Sequence, residues 1–238
     1  MNQHSTRLLT ATLALASSTA IASATTVMFD LDSVSGQGGA NLAGWISVTD
    51  AGAPAGSVTG TDGTYSLTVT SVTSGRDRQT AASTQGADNN DNQVPIGVYG
   101  DMYRDFVFFS GGTSNMTLSG LAPSTTYPVT IISYDSGQGG TVTSSWGPVG
   151  DVTHEITFQA DLNNDTATSL DPNTDSLTDY VVTFDVTTDA SGNAVIDGTV
   201  SSGLHLLNGV IVGDAAVPEP SSGLLALTGA LLLIRRRR

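Results

Sequence analysis

Two positions in the middle of the chain could supply an imidazole base, His154 and His205. Both lie in strand-like runs, the first in Val152-Thr153-His154-Glu155-Ile156, where an outward His beside a Glu is ordinary. No Gly-x-Ser-x-Gly elbow is present, so a Ser–His centre would have to be assembled by the fold alone. Glycoside hydrolysis asks for two carboxylates held roughly 5 Å or roughly 6.5–9.5 Å apart across a cleft. Glu155 is the only Glu between residues 25 and 217, but Asp is so frequent there that some pair will meet such a distance by chance. No catalytic centre is singled out. The expectation is a protein without enzymatic activity, with a polysaccharide-active enzyme as the alternative.

Oxygen-ligand metal binding has a better pattern. Asp161-x-Asn163-x-Asp165 opens like a calcium loop, because alternate side chains of a tight loop can turn their oxygens to one cation. The pattern then departs from an EF-hand, with Thr166 at the glycine position and Pro172 at the twelfth. A looser calcium site would use Asp161, Asn163 and Asp165 with Asp171 or Asp175. Asp30 with Asp32, and the Asp88–Asp91 cluster, are weaker versions. The competing role is local, since Asp and Asn bond their own backbone in turns. No other cofactor is expected. Sugar binding would call on aromatic rings that pack against C–H faces. Trp146, in the Gly/Ser-rich stretch 139–150, and Trp45 are the candidate platforms, with Tyr99 and Tyr103 beside them; core packing competes for both Trp.

Charge removes whole classes of partner. The 238 residues hold 22 acids against 8 basic side chains, a formal −14. Lys is absent, and five of the eight Arg lie at the ends, Arg7 and Arg235–Arg238. Residues 25–217 therefore carry 21 acids against Arg76, Arg78 and Arg104, a formal −18. Three Arg cannot build a basic patch, so nucleic acid is excluded as a partner, and so is an anionic membrane surface for this part. Cys is absent, which excludes disulfides, thiolate metal sites and Cys nucleophiles. About 190 residues suffice for a core without them.

Period-two alternation and β-branched runs dominate residues 25–216. They predict strands at 26–30, 44–49, 65–72, 105–109, 115–118, 127–134, 153–160, 179–187, 194–200 and 205–212. Thr61-Asp62-Gly63-Thr64 and Asp189-Ala190-Ser191-Gly192-Asn193 read as hairpin turns. Two long polar loops interrupt the pattern, one from Ser74 to about Gly100 and one from Asp161 to about Thr178. Some ten strands without crossover helices mean an all-β, antiparallel β-sandwich of jelly-roll type, formed as a single domain. One echo runs against a single unit: Ser35-Gly36-Gln37-Gly38-Gly39 recurs as Ser136-Gly137-Gln138-Gly139-Gly140. Trp45/Trp146, Val48/Val149 and Asp50/Asp151 keep the same offset.

The segment Gly120-Leu121-Ala122-Pro123-Ser124-Thr125-Thr126-Tyr127 between two strands resembles the E–F corner of fibronectin type III domains. The same corner is found in larger galactose-binding-like sandwiches of exported bacterial proteins. A Ser-Tyr-Asp strand end, here Ser133-Tyr134-Asp135, and a late Leu-Asn-Gly strand, here Leu207-Asn208-Gly209, accompany it there. The resemblance implies a galactose-binding-like jelly roll and a tyrosine hydroxyl bonded back to its loop.

Both ends read as addresses. Residues 1–24 have a weakly positive start with Arg7, an apolar run Leu8–Ala16 and a small-residue cleavage site, Ala22-Ser23-Ala24. Residues 217–238 have three parts in order: Val217-Pro218-Glu219-Pro220, the apolar stretch 221–234, and Arg235-Arg236-Arg237-Arg238. Fourteen helical residues rise about 21 Å, short of the roughly 30 Å hydrocarbon core, so the span is marginal. The terminal Arg would keep their end cytoplasmic. This tail resembles a PEP-CTERM sorting signal, the substrate of exosortases. The resemblance implies export by the Sec machinery, transient inner-membrane anchoring, cleavage near Pro218-Glu219-Pro220, and release to the cell surface or extracellular matrix. Proteins of this class are often associated with exopolysaccharide. The expected function is thus a surface or matrix protein that associates with glycan, or one with a purely structural role there.

Overall fold

The computed structural model describes residues 26–31, 42–49, 56–77, 99, 102–103, 105–109, 112–135, 140–160 and 177–214. The signal and sorting segments, and the calcium candidates Asp161, Asn163 and Asp165, lie outside the described residues. Within them the chain is all-β and folds into two sheets around one core.

One sheet contains β1 (Val27–Asp30), β2 (Ile46–Ser47), β7 (Thr126–Ile132), β10 (Val181–Thr187) and β13 (Gly209–Val212), in the order β10-β7-β13-β1-β2. The other contains β3 (Gly56–Thr61), β4 (Ser66–Asp77), β5 (Asp105–Phe109), β6 (Thr113–Ser119), β8 (Gly140–Pro148), β9 (His154–Ala160), β11 (Ala194–Ser202) and β12 (Leu206–Leu207). Every pairing is antiparallel except the short parallel contact of β1 with β2. β3 takes one edge of β4, while β6 and then β5 share the other, Thr70 pairing with Asn115 and Val72 with Phe109. The register shifts between Val72 and Ser74, beside Ser71, whose φ of 63° is left-handed.

Alternation builds the core. In β6 Ser114, Met116 and Leu118 point inward and their neighbours outward. In β10 Phe184 and Val186 are buried while Thr183, Asp185 and Thr187 are exposed. The outer faces pair hydroxyls across strands, Thr130 with Thr183 at 2.7 Å and Thr143 with Thr157 at 3.1 Å. Each fully buried large apolar side chain stabilises the fold by about 1.5–3 kcal/mol relative to exposure.

The two hairpin turns form as expected. The Asp62 carboxylate accepts the Thr64 and Tyr65 N–H groups, both at 2.8 Å, and these donors hold it below the usual carboxylate range. Asp189 does the same with Asn193 and Ser191, and Gly192 supplies the positive φ, 81°. The tyrosine corner is also present: the Ala122 N–H donates to the Tyr127 hydroxyl at 3.0 Å.

Two strands escape the sequence reading. Gly56–Thr61 has two glycines, and its Gly60 is fixed by space: a Cβ there would lie 2.4 Å from the Ser47 carbonyl oxygen. Gly140–Pro148 reads as a Gly/Ser loop, yet Val142, Ser144 and Trp146 alternate inward along it. The described positions of the internal echo differ in their surroundings. Val48 is fully buried beside β2, whereas Val149 is 61% exposed in the turn after β8.

Candidate functional site

Each sheet ends in an edge strand on the same side of the sandwich. β9 is the last strand of the larger sheet and β10 the last of the smaller. Between them lies an open groove of about 430 Å³, lined by Glu155, Ile156 and Thr157 from β9 and by Thr178, Asp179, Tyr180 and Val181 from the approach to β10. β9 turns Glu155 and Thr157 outward because Ile156 and Phe158 are needed in the core. The Thr157 hydroxyl donates to Glu155 Oε1 at 3.1 Å, which orients that carboxylate along the strand.

The opposite wall is held under strain. Tyr180 has φ 55°, a left-handed conformation that costs a non-glycine residue on the order of 1–2 kcal/mol. Three contacts hold it there. The Ser133 N–H donates to the Tyr180 carbonyl at 3.1 Å, and the Tyr103 hydroxyl donates to the Asp179 carbonyl at 2.7 Å. The Tyr180 ring stacks on Tyr134, centroids 4.8 Å apart and planes at 18°, with Phe158 edge-on behind it. Burial first, and the Asp179 charge second, push the Tyr103 phenol above its ordinary range, so it remains a donor.

Behind these tyrosines stands Asn208, fully buried between β12 and β13. Its Nδ2 donates to the carbonyls of Met102 and Tyr103, each at 3.2 Å, and of Asp105 at 2.9 Å. Its Oδ1 accepts the Tyr134 N–H at 2.6 Å. The backbone of Asn208 completes the junction, donating to Ile132 and accepting from Leu31, both at 2.9 Å. One side chain thus sets both Tyr103 and Tyr134, and through them the Asp179–Tyr180 wall.

The sequence-named residues fall elsewhere. Trp146 is a correction: it is fully buried, its indole N–H donates to Ser144 Oγ at 3.1 Å, and it stacks on His205 at 4.7 Å. It has no face to offer a sugar, because inward alternation in β8 places it in the core. Tyr103 is likewise core rather than surface. Trp45 is half-buried, edge-on to Tyr99 at 6.4 Å, and lies beside β2, at the far end of its sheet from β10. His154 does not project outward; it is half-buried against Phe184, ring centroids 5.0 Å apart.

Ser114 Oγ and His205 Nε2 are 2.8 Å apart, the spacing of a nucleophile and its base. The pair is sealed between Trp146 and Phe109. A single Cβ added at Gly198 would already come within 2.6 Å of Ser114 Oγ and 2.5 Å of the Trp146 ring. No substrate can reach it, and burial pushes the His205 imidazole down to about 4, so it stays neutral. Among the described residues no group of three His, Asp or Glu side chains could hold a metal ion. Asp30 is buried and accepts the Leu42 N–H at 3.2 Å.

No protein-family model matches the chain, and no curated protein matches it. Three solved structures give the range of its likenesses. A calcium-binding mutant of Bacteroides uniformis β-glucuronidase 2 is 12% identical with a TM-score of 0.40, covering 80% of this chain. The chain spans only 18% of that enzyme's length. The Penaeus vannamei nodavirus P-domain is 21% identical over 44% of this chain and 87% of its own, with a TM-score of 0.28. The C-terminal CBM6 of LamC, a marine laminarinase from Zobellia galactanivorans, is 18% identical over 46% of this chain and 80% of its own, with a TM-score of 0.23. The class defined here, an antiparallel β-sandwich with a polar groove between two sheet edges, rests on the strand pairings themselves.

Proposed function

We propose that this protein is a non-enzymatic, exported glycan-associating sandwich of the galactose-binding-like jelly-roll type, and that the groove between β9 and β10 is where glycan docks. The observation that carries this reading is the lining of that groove. Carboxylate, hydroxyl and backbone groups line an open channel backed by a stacked tyrosine pair, and Tyr180 is held there in a strained conformation. Strain of this kind collects at ligand sites, and a polyol needs such a density of hydrogen-bond partners. Export through the Sec machinery, anchoring in the inner membrane and release by an exosortase belong to the same proposal. Their support is the order of Val217-Pro218-Glu219-Pro220, the apolar stretch and Arg235–Arg238, together with the Ala22-Ser23-Ala24 site.

A glycan array on the protein, read with and without calcium, tests the binding. Retention of oligosaccharides that Tyr180→Ala reduces supports it, and a blank array overturns it. One observation favours a second reading, a polysaccharide-active enzyme: Glu155 and Asp179 line the same groove. Release of reducing ends that Glu155→Gln abolishes would establish that reading instead.

A further inference from the structure

From the charge around this groove we infer its glycan class: a saccharide bearing free amino groups, as in a deacetylated amino-sugar polymer, in preference to neutral ones and to the exclusion of uronates and sulfates. The inference rests on the glycan-docking reading above. Residues 25–217 hold three Arg against 21 acids, so at least 18 acids keep an uncompensated charge however the Arg are placed. The net field around this sandwich is therefore negative, Glu155 and Asp179 line this groove, and a polyanionic ligand meets repulsion before contact. Within the groove Glu155 stands exposed at the end of a strand edge, with Oε1 engaged by the Thr157 hydroxyl at 3.1 Å and capacity for further donors. An ammonium brings three donors and a positive charge to that position; a neutral hydroxyl brings one donor and no charge. The surrounding Thr157 and Thr178 serve the sugar hydroxyls that every class shares.

Calorimetric titration of the full chain with three oligosaccharides of equal length tests this: β-1,4-linked glucosamine, its N-acetylated counterpart and an oligo-uronate. The glucosamine oligomer should bind about fivefold more tightly than the N-acetylated one, the size of one exposed ion pair. Added salt should shrink the difference. Glu155→Gln should remove the difference between the two amino-sugar forms, and Asp214→Asn, outside the groove, should preserve it. Equal binding of the two amino-sugar forms, or tighter binding of the uronate, overturns the charge preference and leaves glycan docking standing. Failure of all three to bind overturns both.

Discussion

The Tyr134 N–H reaches 2.6 Å to the side-chain oxygen of Asn208, across the junction where the closing strand passes from one sheet to the other. That bond couples the sandwich's chain crossing to its edge groove, because the same Tyr134 carries Tyr180 on its ring.

Asn208→Ala should destabilise the protein by about 4 kcal/mol. It removes three donated hydrogen bonds and one accepted, and strands several buried backbone groups. Asn208→Asp should be no better tolerated, since it replaces the Nδ2 donor with a carboxylate oxygen that only accepts and faces three carbonyl oxygens. The urea midpoint of each variant measures this.

Acidification should weaken the fold through His205 before the carboxylates titrate. Its folded-state value, about 4, lies below its ordinary 6.5 because burial penalises the imidazolium. Stability is thus fully present above pH 6.5 and is lost as the pH falls from 6.5 toward 4, by roughly 3 kcal/mol at the lower end. Melting curves between pH 7 and pH 5 should slope downward for the native chain and more gently for His205→Gln.

Tyr127→Phe should cost about 1–1.5 kcal/mol and nothing in groove binding. The lost hydroxyl accepts only the Ala122 N–H, at the far turn. A lower denaturation midpoint with unchanged glycan affinity is the expected pair of results. An unchanged midpoint would show that the corner bond contributes nothing.

A chain lacking residues 217–238 should leave the membrane fraction for the soluble exported one. Fractionation beside the full chain, in an exosortase-deficient background, reads this directly. Continued retention would remove the anchoring role of Arg235–Arg238 and the apolar stretch.

Strands rich in apolar and β-branched residues are legible in the sequence: 105–109 is recovered whole, and 194–200 covers all but the last two residues of Ala194–Ser202. So are the Asp-anchored turns and the Tyr127 corner, whose signals are local. Gly140–Pro148 is masked in the sequence because Ser144 and the adjacent glycines hide its period, which is why Trp146 reads as a candidate platform as well as a core residue. The groove was not legible. Glu155 stands out as the lone Glu of residues 25–217, but its partners Asp179 and Tyr180 arrive from another sheet edge, and no local pattern announces that two edges will meet.

The pairing of β1 with β13 has a consequence in time. Val27 finds Val212, and Asp30 finds Gly209, so the first strand waits for nearly the last. β13 also separates β1 from β7. The smaller sheet therefore has no middle until residues 209–212 have been synthesised, and contacts so distant in sequence make folding slow.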